Sequence, residues 1–546
     1  YAITGAMAYN FSQAQKTDFI IDDLLHRLGP DYLTDLAILH DSTESYIPDF
    51  RPDTSFRSPE TAFAQAMAHV ENLLPYAPLN GSNSWVLSGQ KTASGKVIFC
   101  NDTHIGYLVP QTWYEAILEC PDLHIHGHFM AGIPFALVGT TSKLSWGLTM
   151  LLNDDMDFYR ETQDKNDPDR VIYKGNSVPL EVHAYKIPVK DADSAEVVVR
   201  TTPHGPLINA VVEGMQELPP TSLFWTYTKV PNHNIEALFG LNHARNMDEF
   251  ASHLPLIHGP GLSVNYGDSE GNIAWWACAH LLKRPPHVQS FTLLDGASGQ
   301  DEPLGYYPFA NNPRCINPPS GYIYSANDWP QAIDTTGSIS GDLDYWYPGY
   351  YKPQYRADRI NKLLQANDAW TTTSIQSVMN DITNTTDSAL YAQLWGIILS
   401  TGKLSDQLDI ADFATLFKWN GSYGREQIQP SIFSRWLYHT MRLACEDEMG
   451  KENFRLFISG HLYQRAYSRL ITSANSLWWD NVSTSDSRES RQAIVVAALE
   501  CTLGELKQHY GPETKMWQWR KLTSVEFQHP MGKVGVFRPF FNIGPM

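Results

Sequence analysis

The chain has 546 residues, long enough to bury a large core, with hydrophobic residues at 43% and charged ones at 18%, ordinary globular values. Its 40 basic against 59 acidic residues give a formal net charge of −19, which argues against nucleic acid or an anionic membrane surface as a partner. No apolar run approaches the roughly 18 residues needed to span a bilayer, and the six scattered cysteines form no Cys-x-x-Cys pair, which disfavours structural zinc.

The opening segment reads as helix. Asp18 is a candidate cap, Ile20, Ile21, Leu24, Leu25 and Leu28 form one apolar stripe, and Gly29-Pro30 stops it. A second helix is expected from Ser58-Pro59-Glu60 through Ala66 to Leu74. Pro75 and Pro78 then predict an extended, exposed approach to Gly81-Ser82, with Ser82 lying just before a strand. From Ser82 to about Asn327 the pattern is mostly strand: Val171–Tyr173, Glu196–Arg200, Leu223–Thr228, Leu262–Tyr266 and Asn272–Ala279. After Asp358 it turns helical, beginning at Arg359–Leu364. The clearest member is Ser487–Leu506, with Ile494, Val495, Ala498, Leu499, Leu503 and Leu506 on one face. Strands followed by helices point to an α+β layered fold.

Ser82 is where chemistry enters. A serine hydroxyl is a weak nucleophile until a base removes its proton, and the chain has no Gly-x-Ser-x-Gly elbow that would recruit a histidine. Cutting the Gly81–Ser82 bond would leave Ser82 with a free α-amine beside its hydroxyl. Such an amine has an ordinary pKa of roughly 7.7–8.0, so much of it is neutral near physiological pH.

Gly81-Ser82-Asn83 with Trp85, Asn101-Asp102-Thr103-His104 and Ser145-Trp146-Gly147 resemble the penicillin acylase (penicillin amidase) family of N-terminal nucleophile hydrolases. The resemblance continues through Val264-Asn265-Tyr266-Gly267-Asp268, Gly271-Asn272-Ile273, Ser320-Gly321-Tyr322-Ile323, Ala326-Asn327 and Tyr355-Arg356-Ala357, and reaches His529-Pro530. It implies one large body with a four-layer αββα sandwich, two antiparallel sheets between helices. It implies that residues 1–81 are part of the small α chain plus spacer, that residues 82–546 are the β chain, and that the two form a heterodimer after self-cleavage. The family's first and last segments are expected to be absent here. Tyr1-Ala2-Ile3 is neither an initiator methionine nor a signal peptide, so the chain reads as starting partway into something longer. Relatives are bacterial proteins of the periplasm or exterior, which gives the expected location.

By the same resemblance, Ser82 supplies the nucleophile and, through its α-amine, the base. The backbone N–H of Met150 and the side chain of Asn327 supply the oxyanion hole, with His104 and Arg356 as orienting residues. Met7, Phe11, Ile105 and Val138 are the expected acyl pocket, all apolar, and Asn10 stands where penicillin G acylases carry an arginine. Asp154 and Asp157 match two carboxylates of a structural calcium site, with Asp344 and Asp18 as further ligands; no organic cofactor is implied. His124, His126 and His128 alternate along one strand face, but no acid or cysteine follows at ligand spacing, so a structural strand is expected there.

The implied activity is hydrolysis of a linear amide bond in a small N-acyl compound, such as the side chain of a penicillin-type β-lactam, through an acyl-enzyme. An N-acyl homoserine lactone is the alternative substrate. A catalytically silent binding protein on the same scaffold is the second alternative.

Overall fold

A computed structural model describes residues 2–36, 62–67, 79–210, 215, 218–330, 347–402, 415–482, 484 and 488–544. Two helices open the chain, α1 (Ala2–Phe11) and α2 (Ala14–Leu28). The second starts four residues before the expected cap. Asp18 is therefore an interior, fully buried helical residue rather than a capping one. Of the next expected helix, residues 62–67 are helical and the rest lies outside the described residues.

Strand β1 (Leu79–Leu87) pairs antiparallel with β2 (Ile98–Ile105), setting Ser82 opposite Thr103 and Gly81 opposite His104. There follow β3 (Trp113–Cys120), β4 (Leu123–Met130), β5 (Val138–Thr140), β6 (Leu144–Met150), β7 (Met156–Arg160) and β8 (Thr221–Trp225). The strand expected over Leu223–Thr228 ends at Trp225, where a helical turn, Thr226–Lys229, takes over. Helices α3 (Asn234–His243) and α4 (Met247–His253), which the strand-dominated pattern did not announce, precede β9 (Leu262–Asp268) and β10 (Ile273–Cys278). Strands β11 (Arg314–Ile316) and β12 (Tyr322–Ser325) complete the frame.

A seven-stranded antiparallel sheet runs in the order β11-β10-β9-β6-β5-β4-β3, and a three-stranded one in the order β2-β1-β12. Period-two alternation divides the core between its faces. Trp146, Leu148, Met150, Val264, Tyr266 and Trp276 pack with Phe250, Leu241 and Met7 of the helices. Their odd-numbered neighbours Ile273, Trp275 and Ala277 pack instead with Val86 and Ile323 of the smaller sheet. Consecutive tryptophans 275 and 276 thus serve two different cores. Burying each large side chain contributes on the order of 2–3 kcal/mol. Gly147, in the Ser145-Trp146-Gly147 stretch, lets the two sheets meet: a Cβ there would lie 2.3 Å from Asn101 Oδ1 on β2.

The described residues divide into two compact units rather than the expected single body. The first comprises Tyr1–Arg27, Asp53–Ile105 and Thr112–Tyr351, and holds both sheets. The second comprises Leu28–Pro52, Gly106–Gln111 and Lys352–Met546 and is helical. It includes α5 (Tyr355–Gln365), α6 (Thr385–Ser400), α7 (Gln429–Met449) and α8 (Arg491–Tyr510). Asn384 caps α6 by accepting from the Thr386 and Asp387 N–H groups, and Ser490 caps α8 through the Ala493 N–H. The six apolar residues expected on one face of α8 are all buried. Trp436 of α7 meets Trp395 of α6 edge-on at 5.0 Å and donates to the Val495 carbonyl at 3.0 Å. Each unit thus has its own aromatic core, which is why a chain of this length divides.

Candidate active site

Ser82 lies within β1, not ahead of it, and is only 3% exposed; Gly81 is buried as well. The expected exposed cleavage bond is therefore withdrawn from solvent, because pairing with β2 carries the strand back to Leu79. The register slips between Leu79 and Gly81, so a bulge immediately precedes the bond.

Three elements converge on the Ser82 hydroxyl. Its Oγ accepts from the Met150 backbone N–H at 3.3 Å, at the end of β6. It also accepts from Asn327 Nδ2 at 3.3 Å, two residues beyond β12. The Ser82 N–H in turn donates to Asn327 Oδ1 at 2.6 Å, and Asn327 Nδ2 donates to the Met150 carbonyl at 3.0 Å. One amide group therefore touches the nitrogen and the hydroxyl of Ser82 and the strand that carries the second donor. Asn327 has φ 65°, in the left-handed region that asparagine tolerates better than other side-chain-bearing residues, and is 1% exposed. The neighbouring Thr149 and Ser325 hydroxyls bond at 2.7 Å and tie β6 to β12.

Beside Ser82 opens a cavity of about 560 Å³, counting the part that reaches solvent. Met7, Phe11 and Ile105 line it, together with Asn10. Val138, the fourth residue expected in the pocket, is not among the lining residues. It is half-buried on β5, opposite His128, and packs against the same core cluster that supplies Met7, Phe11 and Leu148 to the lining. Its place is taken by Trp113, Met130, Leu137, Leu148 and Leu262. Leu148 was readable, since period two sets it on the face of Met150. The others arrive by pairing: Leu262 opposes Met150 and Met130 opposes Trp113. No lining residue carries a charge.

His104 stands across from Gly81, but its Nε2 is 2.9 Å from Asp102 Oδ2 on its own strand, at a partly exposed position outside the cavity lining. Arg356 belongs to the second unit, in the first turn of α5, where it is half-buried. His124 and His126 face the carboxylates of Glu119 and Glu115 across the β3–β4 ladder, the second at 2.6 Å, as in a structural strand.

A calcium ion would need several oxygen donors turned to one point. Asp344 lies outside the described residues. Asp18, Asp154 and Asp157 are fully buried, but the Arg284 guanidinium engages two of them. Arg284 Nε and Nη2 fork onto Asp157 at 3.1 and 2.9 Å, and Nη2 stands 3.3 Å from Asp154 Oδ1. Asp18 Oδ1 accepts from the Tyr350 hydroxyl at 2.8 Å. Among the described residues no group of three histidines, cysteines or acids is arranged to hold a metal ion. Asp154 keeps both carboxylate oxygens and Asp18 its Oδ2 without a hydrogen-bond donor, but calcium prefers six to eight oxygen ligands, and the described residues do not assemble that set. Burial, and then the nearby Asp154 charge, holds Asp18 well above the usual carboxylate range. Burial likewise lifts Asp154 to about 7 against the opposing pull of Arg284. No sequence motif announced Arg284; it stands between Lys283 and Pro285 with nothing local to mark it.

Comparison with known proteins agrees with this geometry. The family model described as penicillin amidase matches residues 1–546. The chain is 24% identical over 510 residues to acyl-homoserine lactone acylase QuiP of Pseudomonas aeruginosa, covering 89% of this chain and 58% of that protein. It is 24% identical over 508 residues to penicillin G acylase of Escherichia coli, covering 85% of this chain and 56% of the relative. The chain thus spans little more than half the length of these relatives. The solved structure of a thermostable penicillin G acylase from Alcaligenes faecalis shares the fold, with a TM-score of 0.66 at 20% identity over 82% of each chain. With a family model covering its whole length, a serine held between a strand N–H and an asparagine amide, and this α+β fold, the chain belongs to the penicillin amidase family.

Proposed function

We propose that this chain cleaves its own Gly81–Ser82 bond and then hydrolyses the amide of a small N-acyl compound through an ester on Ser82. The observation that carries the reading is the convergence of the Met150 N–H and Asn327 Nδ2, each 3.3 Å from Ser82 Oγ, beside an apolar cavity. In maturation, Ser82 Oγ attacks the Gly81 carbonyl, and its proton passes to the departing Ser82 nitrogen. Water then opens the ester, leaving a Gly81 carboxylate and a free Ser82 amine. The burial of this bond favours an intramolecular route over an external protease.

In turnover the neutral amine takes the Oγ proton as the hydroxyl attacks the substrate carbonyl. The negative charge develops on the substrate's carbonyl oxygen, and the Met150 N–H and Asn327 Nδ2, which bond Oγ before attack, would turn to that oxygen as its donors. The amine returns the proton to the leaving nitrogen, and water attacks the resulting ester to release the acid. Asn327 Oδ1 would hold the amine with its lone pair free for Oγ, since it occupies one N–H at 2.6 Å before cleavage.

The uncharged cavity wall supports an apolar acyl group, arylacetyl or aliphatic, because an unpaired buried carboxylate would cost several kcal/mol. Relatives are named acyl-homoserine lactone acylase and penicillin G acylase, which supports an N-acyl substrate. Processing would yield an α/β heterodimer, in keeping with a relative named penicillin acylase 2 proenzyme from a Pseudomonas species. The bacterial sources of these relatives support a periplasmic or secreted location. No helix among the described residues is long and apolar enough to cross a membrane.

A denaturing gel with mass spectrometry tests the reading. Two fragments meeting at Ser82 are expected, and acetylating the new amine should abolish turnover of a chromogenic amide. An uncut chain that binds acyl compounds without hydrolysing them would make it a silent binding protein instead.

A further inference from the structure

The acidic cluster of the first unit points beyond catalysis. Asp154, on the segment between β6 and β7, and Asp157, on β7, are buried where two carboxylates repel one another at close range. Something positive must lie between them, since ionised carboxylates are almost never buried without a partner. Arg284 is that charge. It follows the short strand Leu282–Lys283, precedes Pro285 and Pro286, and its side chain is 6% exposed. Its Nη2 is shared, 2.9 Å from Asp157 Oδ1 and 3.3 Å from Asp154 Oδ1, while Nε completes a planar fork on Asp157 at 3.1 Å. Nη2 is also 3.4 Å from the Asp154 carbonyl. The same carbonyl accepts from the Tyr347 hydroxyl at 3.4 Å, and that hydroxyl accepts from the Leu282 N–H at 2.7 Å. The strand that delivers Arg284 and the loop that delivers Asp154 are thereby tied together.

We infer that Arg284 is a built-in cation that takes the structural role of a divalent ion here, so that the unit folds and stays folded without calcium. A bridging ion would have to share both carboxylates with the guanidinium and lie beside its positive charge, with no solvent to screen the two. A fixed guanidinium also differs from an ion in that it cannot be lost to a chelator. The inference does not depend on Ser82 being catalytic.

The test uses the full purified chain. Melting in excess EGTA and in millimolar calcium should agree within about 1 °C, and metal analysis after dialysis should find well under one calcium per chain. Stoichiometric calcium, or a melting temperature that falls on chelation, would overturn the inference. Arg284→Met keeps the bulk of the side chain but removes its charge. It should lower the melting temperature by roughly 5 °C in EGTA, and added calcium should restore part of that loss. A variant as stable as the parent in EGTA would overturn the inference as well. If Arg284→Met does not fold at all, the double variant Asp157→Asn with Arg284→Met should fold, because the surplus charge is gone. A double variant that fails equally would count against the charge-balance argument.

Discussion

Ser82 and Arg284 lie in the same β-rich unit, each buried among polar groups, yet their surroundings are put together differently. Ser82 is held by neutral hydrogen bonds 2.6 to 3.3 Å long, with Asn327 satisfying donor and acceptor at once. Around Arg284 the side-chain contacts are ionic, and two carboxylates share one guanidinium. Neutral donors of this kind can turn to an oxygen that becomes negative, and they are worth most when that charge appears. An ionic cluster already holds its charges and holds chain segments in place. The contrast teaches that buried polarity by itself does not mark a catalytic centre; at Ser82 neutral donors meet a hydroxyl beside a cavity.

The largest effect should come from Ser82→Ala, which removes the group on which both steps depend. The chain should stay uncut on a gel and show no amide turnover, and cleavage at the same bond in this variant would refute the intramolecular route. Asn327 sharpens the comparison. Asn327→Ala should lower kcat by about a hundred- to a thousand-fold, some 3–4 kcal/mol of barrier, with a smaller change in KM. Asn327→Gly should lose as much kcat yet melt higher than the alanine variant, since glycine accepts φ 65° without strain. A change confined to KM would make Asn327 a substrate binder.

On the ionic side, Asp157→Asn leaves Arg284 half-paired and should cost about 3–5 kcal/mol in urea unfolding, the expense of breaking a buried pair. A loss below about 1 kcal/mol would place the pair among ordinary surface bridges. Within the cavity, glutaryl amides should be at least about tenfold poorer by kcat/KM than phenylacetyl or octanoyl ones, because no lining cation meets a second carboxylate. Leu148→Arg should narrow that gap, and a glutaryl substrate ranking first in the parent would overturn the apolar assignment.

The smallest effect concerns a third cluster. His204 is buried between Glu161 and Glu302, 2.8 Å from each. Burial lowers its pKa, but the two glutamates outweigh burial and leave it above the ordinary value of 6.5. A group whose folded pKa is raised stabilises the fold fully below its unfolded pKa and loses that contribution as pH rises through the folded one. Urea stability should therefore fall from pH 6 to above the folded pKa, and Glu302→Gln should flatten the slope. An unchanged slope would mean that the histidine does not take up its proton on folding.

The two compact units and the site differ in how far they could be read beforehand. The α8 face was legible because six apolar residues recur at helical spacing within one segment. The motifs around Ser82, Met150 and Asn327 were legible because each is local, and the structure brings these three together as the resemblance implied. Thr226–Lys229 was misread as strand because residues Leu223–Thr228 run on in apolar and β-favouring types, with no breaker at the point where the helix begins. The division into two units was hidden because periodicity reports which face is apolar and not which core receives it.

What the sequence determined alone was therefore local: helix and strand type where periodicity is strong, a net charge that argues against nucleic acid or an anionic membrane surface, and the motifs that carry the family resemblance. Only the tertiary structure decided that Gly81–Ser82 is buried, that Trp113 and Leu262 line the cavity and Val138 does not, and that a guanidinium stands beside Asp154 and Asp157. Those outcomes depend on strand register and on side chains more than a hundred residues apart, such as Asp157 and Arg284, 127 positions from one another. No local pattern encodes such distances, because they are set when sheets pair and pack.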